Sequence, residues 1–330
     1  METSYLEQEI KEGVDFLARF KSQQVLDFVS KIKPPILFAA MGSSFYLPTG
    51  RAESLANEFR KHPQVGFILA SEGYIIDPDA WESVVLISNS GKTREVMELA
   101  KKFPKEKIFA ITGSKSSELG KIAGSTYELQ TGKEKAVAAT KSIVEQTLIC
   151  EEIIRYQAGE KNFTKIDLAP ISRAMRENFK KPISTSLLIN ISGARTIYFV
   201  GGHSGIGEET ALKFVELAKK KTKFIPGTQI LHGAEEVIEK GDVVFLLFAD
   251  HYKKYYDRLK EMKEKTGCHF YSIGNGSTFS EENIELNLIS GFRPYCMLPY
   301  FWNLLSQFAK LKGFSLDKGD KIVKVGVASK

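Results

Sequence analysis

Cysteine is scarce and scattered, with only Cys150, Cys268 and Cys296 in 330 residues. An odd number at unrelated spacings, without a C-x-x-C or a Cys/His ligand pattern, excludes a disulfide framework and a structural zinc site. No apolar run approaches the roughly eighteen residues of a membrane span. The N-terminal segment is amphipathic and carries acidic residues, unlike a signal-peptide core, so the expected location is the cytoplasm, with no membrane partner. A Walker A Gly-Lys-Ser/Thr and a G-x-G-x-x-G are both missing, which points away from nucleotides. Charge of one sign is missing too: 46 Lys and Arg are interleaved with 40 Asp and Glu, for a formal charge of +6. Without a basic block and interleaved aromatics there is no nucleic-acid face. The residual field mildly favours an anionic substrate.

What the chain does contain is hydroxyl-rich loops. Gly42-Ser43-Ser44, Ser88-Asn89-Ser90-Gly91-Lys92-Thr93 and Val137-Ala138-Ala139-Thr140-Lys141 all lie between residues 42 and 141. The first two directly follow apolar runs, 36–41 and 84–87, short enough to be buried parallel strands. At a strand-to-helix turn, small residues let backbone N–H groups approach an anion, hydroxyls add donors and the helix N-terminus adds partial positive charge. Ser, Thr and Gly also crowd ordinary turns and N-caps. Three such loops together read as a cradle for a phosphate ester, most simply a sugar phosphate.

Strand and helix patterns alternate along the chain. Strands are expected over 36–41, 66–70, 84–87 and 107–112, with helices over 51–60 and 93–102. After helices over 141–157 and 170–179 the plan repeats, with strands over 196–200, 223–225, 243–248 and 269–273 and helices over 208–220 and 252–265. This alternation predicts an α/β fold of two three-layer αβα domains with parallel sheets, related as an internal repeat. The length suits two domains, expected over 1–158 and 159–330.

The motif set resembles the SIS (sugar isomerase) domain. It is carried by S-x-S-G-x-T at Ser88 to Thr93, by Met41-Gly42-Ser43-Ser44 and Ala70-Ser71-Glu72 before it, and by Ala138-Ala139-Thr140-Lys141 after it. More narrowly the chain is similar to the isomerase half of glucosamine-6-phosphate synthase, whose relatives include archaeal-type glucosamine-6-phosphate deaminases and fructosamine-6-phosphate deglycases. Glu9-Ile10-Lys11-Glu12 is similar to the segment that opens that half. The resemblance implies two flavodoxin-like SIS domains. It also implies phosphate binding by Ser43, Ser44, Ser88, Asn89, Ser90 and Thr93, further substrate contacts from Gly42, Val137 and Ala138, and no cofactor or metal.

In the second half, Ala249-Asp250-His251-Tyr252-Lys253 follows the strand over 243–248 and offers no comparable cradle. Gly201-Gly202-His203-Ser204-Gly205-Ile206-Gly207 is spaced unlike a dinucleotide fingerprint and reads as a strand-to-helix turn. Glu209, Lys213 and Glu216 share one face of a predicted helix, with Leu212, Val215 and Ala218 expected on its buried side. Taken alone, that trio is an exposed ion-pair ladder. It is, however, similar to the L-E-G-A-L-K-L-K-E helix of the synthase. The resemblance implies that Glu216 moves a proton between C1 and C2, with Lys213 beside it and Glu209 in support. Leu231-His232-Gly233 resembles the motif whose histidine assists ring opening. Lys321 resembles the C-terminal lysine that contacts the sugar carbonyl, with Lys318 and Lys324 as neighbouring alternatives.

Gln229, Ala234 and Ala139 depart from the synthase pattern, and no Pro-Arg precedes Lys321; these changes bear on substrate identity more than on reaction class. The chain begins Met1-Glu2-Thr3 without a nucleophilic cysteine, so synthesis from glutamine is not expected. The expected activity is an aldose–ketose isomerase and deaminase converting glucosamine 6-phosphate and water to fructose 6-phosphate and ammonia. A fructosamine-6-phosphate deglycase and a non-catalytic phosphosugar-binding regulator are the alternatives. The resemblance further implies a homodimer with shared active sites.

Overall fold

The computed structural model describes residues 4–321 apart from 62, 161, 162, 203 and 275. His203 and Lys324 therefore lie outside the described residues. The chain divides into two compact units, one reaching Ser172 and rejoined by the segment from Asp317, the other spanning Arg173–Leu316.

Unit 1 opens with α1 (Tyr5–Arg19), capped where Ser4 Oγ accepts the Glu7 amide, and the single turn α2 (Leu26–Val29). There follow β1 (Ile36–Ala40), α3 (Ser43–Glu58), β2 (Val65–Leu69), β3 (Ser83–Ser88), α4 (Arg94–Ala100), β4 (Ile108–Thr112), α5 (Glu118–Ile122), β5 (Ser125–Glu128) and α6 (Lys141–Gln157). The five strands are parallel, in the order β2-β1-β3-β4-β5. The central strands β1, β3 and β4 are buried along their whole length, as continuous apolar runs in a sheet covered on both faces require. Alternate residues Leu37 and Ala39, Val84 and Leu86 point into one layer, where Val96 and Leu99 of α4 meet them.

α7 (Ala169–Phe179) carries the chain from one unit to the other. Unit 2 continues with α8 (Thr185–Gly193), β6 (Thr196–Val200), α9 (Ile206–Ala218), β7 (Lys221–Ile225), β8 (Val243–Leu246), α10 (Tyr256–Thr266), β9 (His269–Ile273), β10 (Glu282–Ile284) and α11 (Arg293–Lys312). Its parallel sheet has the order β10-β9-β8-β6-β7, which repeats the first unit's plan. On one face Phe199 stacks on Phe245 at 5.3 Å, and Phe301 of α11 packs edge-on against both.

Three differences from the sequence expectations have physical causes. The helix expected over 51–60 begins at Ser43 and runs through Pro48, whose side chain is buried with Leu47 and Thr49, so packing overrides the breaker signal. The edge strands β5 and β10 have no counterpart in the expected list; they have four and three residues, too short for a period-2 signal. Nor has α11, whose first half, 294–302, is apolar on every side and contains two prolines, which leaves no 3.6-residue stripe to detect in that half.

Candidate active site

In unit 1 the strand order turns back between β1 and β3. In an open parallel sheet a ligand binds outside the carboxyl ends of the strands at that switch. Both of the first two hydroxyl loops leave from there. Gly42 is the N-cap of α3, so Ser43 and Ser44 occupy its first turn, where backbone amides have no intrahelical acceptor. Ser88 is the last residue of β3, and its Oγ lies 2.8 Å from Thr93 Oγ1 and 3.4 Å from Ser90 Oγ while accepting the Gly91 amide at 3.1 Å. The Lys92 amide donates to Ser90 Oγ at 3.2 Å. Thr93 is the N-cap of α4 but makes no side-chain cap bond, because its hydroxyl is turned to Ser88. Gly91 has φ +61°, and a Cβ there would stand 2.2 Å from Ser117 Oγ, so the tight hydroxyl turn depends on glycine.

The third loop lies before α6. Val137 donates its amide to the Asp317 carbonyl at 3.0 Å, and Asp317 also accepts the Leu6 amide at 2.9 Å, so the start of the tail is tied to α1 and to this loop. Ala138 is fully buried. Asn89 Nδ2 donates to Glu134 Oε2 at 3.1 Å. Glu134 and Glu9, both buried, hold this region together; Glu9 falls in the segment that resembles the start of the synthase's isomerase half, whereas Glu134 was not singled out from the sequence. A lone carboxylate in a polar stretch carries no signal until its donors are known. Lys321, in the same unit, is exposed.

In unit 2 the ion trio of α9 is brought together as expected, but on the other side of the helix. Lys213 Nζ lies 2.8 Å from Glu216 Oε2 and 3.3 Å from Glu209 Oε1, and the Lys213 and Glu209 side chains are 1% and 0% exposed. Val215, expected inside, is 46% exposed, and Leu212 is half-buried; only Ala218 keeps its expected place. The polar face is thus the buried one, and an exposed ion-pair ladder is ruled out. Burial alone would lower the Lys213 pKa, but the two carboxylates outweigh it and hold the ammonium above its usual range. Glu216, whose side chain is 16% exposed, is the one member of the trio open to solvent. His232 is exposed at the end of a short 3-10 turn, Gln229–Leu231, anchored by the buried Ile230 and Leu231.

The corresponding switch point of unit 2, between β6 and β8, is filled by its own side chains. Gly202 donates its amide to Tyr252 Oη at 2.8 Å, and a Cβ on Gly202 would meet the Phe248 ring at 2.5 Å. Asp250 is held by Arg293 through bonds of 2.6 and 3.0 Å; those bonds lower its pKa. Among the described residues no cluster of His, Cys, Asp and Glu has the make-up of a metal site. No described helix is long and apolar enough to cross a membrane.

No family model matches the chain. In sequence it is similar to glutamine–fructose-6-phosphate aminotransferase (isomerizing) of Sulfolobus acidocaldarius, 27% identical over 270 residues that cover 78% of this chain and 44% of that protein. The enzyme of the same name from Aeropyrum pernix is 22% identical over 287 residues, covering 78% of this chain and 45% of that protein. The chain thus spans less than half the length of these curated relatives. In structure it is similar to the C-terminal domain of glucosamine-fructose-6-phosphate aminotransferase from Francisella tularensis, with TM-score 0.77, 20% identity and coverage of 96% and 98% of the two chains. Glucosamine-6-phosphate deaminase from Thermotoga maritima gives 0.73, 21% identity and coverage of 97% and 99%. Tagatose-6-phosphate ketose/aldose isomerase from Escherichia coli gives 0.76, 17% identity and coverage of 99% and 97%. The two αβα units have the fold of these phosphosugar enzymes.

Proposed function

We propose that this chain is a phosphosugar aldose–ketose isomerase of the deaminase type, converting glucosamine 6-phosphate and water to fructose 6-phosphate and ammonia. The observation that carries the reading is the buried Glu209–Lys213–Glu216 cluster: a desolvated ammonium fixes a carboxylate whose outer face is open. Such a carboxylate suits proton transfer between adjacent carbons, with the neighbouring cation stabilising the charge that develops. The unit 1 hydroxyls take the phosphate as a remote handle, whose binding energy orients the reacting end. His232 moves a proton between ring oxygen and anomeric hydroxyl to open the sugar. Glu216 then removes the C2 proton and returns it to C1. The resulting C2 imine takes up water and releases ammonia, with Lys321 or a neighbouring tail lysine at the carbonyl. Glutamine hydrolysis lacks a nucleophile among the chain's three cysteines, all of which are buried, and burial pushes the Cys150 thiol upward and that of Cys296 up to about 11. The working unit is a homodimer in which His232 serves the neighbouring copy's site.

The test is incubation with a panel of glucosamine 6-phosphate and fructosamine 6-phosphates, measuring free ammonia or amine together with ketose phosphate. Turnover of glucosamine 6-phosphate is expected; release of amine from fructosamine 6-phosphates alone makes the protein a deglycase, and no turnover of either leaves it a binding protein. In deuterated water, Glu216→Gln should still bind sugar phosphate but not exchange the C2 proton.

A further inference from the structure

Glu134 joins two of the three loops. Its Oε1 accepts the Thr140 amide at 2.7 Å and the Ser142 amide at 3.2 Å, and its Oε2 accepts the Ser142 hydroxyl at 2.9 Å and Asn89 Nδ2 at 3.1 Å. The side chain is buried, with residue exposure of 2%. A carboxylate with four donors is well satisfied without a cation. Thr140 is the N-cap of α6 and makes no side-chain cap bond itself, so Glu134, six residues upstream, caps this 17-residue helix from outside. The helix terminus that composition offers to a phosphate is therefore already taken by a protein anion. A second anion there would meet Glu134 directly.

The rest of the loop is assigned in the same way. Glu9 accepts the amides of Lys135 and, at 3.2 Å, Ala136, and the Asp317 carbonyl accepts Val137. The amides of Ala138 and Ala139 have no acceptor among the described residues; Ala138 is fully buried and Ala139 partly exposed, so the Ala139 amide is the one a ligand can reach, and a neutral oxygen suits it better than a phosphate beside Glu134. The hydroxyl cluster of Ser88, Ser90 and Thr93, by contrast, is closed on itself and makes no bond to Glu134.

We infer that Glu134 is a positioning residue for the sugar rather than the phosphate: it reserves the α6 terminus, ties it to Asn89, and holds the Ala139 amide toward a sugar hydroxyl or carbonyl oxygen. This rests on the phosphosugar reading above. The division of labour makes a measurable split. In calorimetric titration of the full chain, Glu134→Gln should weaken fructose 6-phosphate binding at least about tenfold and leave inorganic phosphate within about twofold, because the amide keeps the shape but faces N–H donors with an NH2 group. Ser142→Ala, a milder loss of one of the four donors, should give the same split at smaller size. Equal loss of both ligands, or no loss of either, overturns the proposal. Hydrogen exchange supplies a readout without ligand: the Thr140 and Ser142 amides should exchange at least about tenfold faster in Glu134→Gln while those of α1 stay unchanged. Unchanged exchange at those two amides overturns the clamp. Wild-type protein that binds neither fructose nor glucosamine 6-phosphate removes the functional reading and this role together, whereas a wild type that binds and a variant that binds equally well removes Glu134 alone.

Discussion

Ser88 has three polar partners within its own turn, the hydroxyls of Ser90 and Thr93 and the amide of Gly91. A phosphate entering the turn can exchange these internal bonds for charge-assisted ones. Ser88→Ala, Ser90→Ala and Thr93→Val should each cost about 1.5–3 kcal/mol of substrate binding, seen as a rise in KM with smaller change in kcat; unaltered kinetics in all three would place the phosphate elsewhere. Glu152, on the buried helix α6, has the opposite electrostatics. Burial raises its pKa from 4.5 to about 8, although Ser22 and Arg155 oppose the shift. Below pH 4.5 both folded and unfolded states hold the proton, and the stability tied to this group is fully present. It is lost as the pH rises to about 8, because the unfolded chain releases a proton that the folded one keeps. Glu152→Gln should therefore be near neutral in effect below about pH 5 and stabilising by a few kcal/mol above pH 8, at about 1.4 kcal/mol per pKa unit. Urea unfolding across that range checks it, and a difference that stays flat with pH refutes the assignment.

At the scale of the element, α9 shows how a helix reverses its expected sides. Glu209, Thr210 and Lys213 are buried with Phe214 and Leu217, while Val215 faces out. Ion pairing makes this tolerable, since a buried charge left without its partner costs about 3–5 kcal/mol. Lys213→Met should destabilise the protein by that order, because it removes the cation beside the fully buried Glu209. Adding Glu209→Gln should restore most of the loss. Val215→Lys, on the exposed side, should stay within about 0.5 kcal/mol. Denaturant midpoints for the four proteins decide the matter, and a harmless Lys213→Met would mean that the buried pair is not electrostatically coupled.

For the whole molecule, the repeat of one sheet plan does not repeat the site. Unit 1 leaves its switch point to hydroxyls and first-turn amides, whereas in unit 2 Tyr252 takes the Gly202 amide and Phe248 closes on the same turn. Titration with fructose 6-phosphate should accordingly give one site per chain; two equivalent sites would show that the aromatic side chains of unit 2 yield to ligand. The proposed sharing of sites between copies has its own test. Subunits carrying His232→Ala and Glu216→Gln, each inactive alone, should on dissociation and random re-pairing recover about a quarter of wild-type activity. Verified heterodimers without activity reject the sharing.

The alternation of apolar strands with helical patterns was enough for the sequence by itself to determine the α/β class, the parallel sheets and their repetition, because a strand buried on both faces must be apolar throughout. Ser88, Ser90, Gly91 and Thr93 were legible as one turn because their spacing is local. Short edge strands and α11, apolar on every side through its first half, were not, since neither a three- or four-residue strand nor an unbroken apolar stretch carries a period. Only the tertiary structure decided which side of α9 is buried, that Tyr252 fills the second switch point, and that Glu134 binds Asn89 across 45 residues of chain. Each depends on a partner distant in sequence, and a side chain's polarity does not say whether water or a buried counter-group will satisfy it.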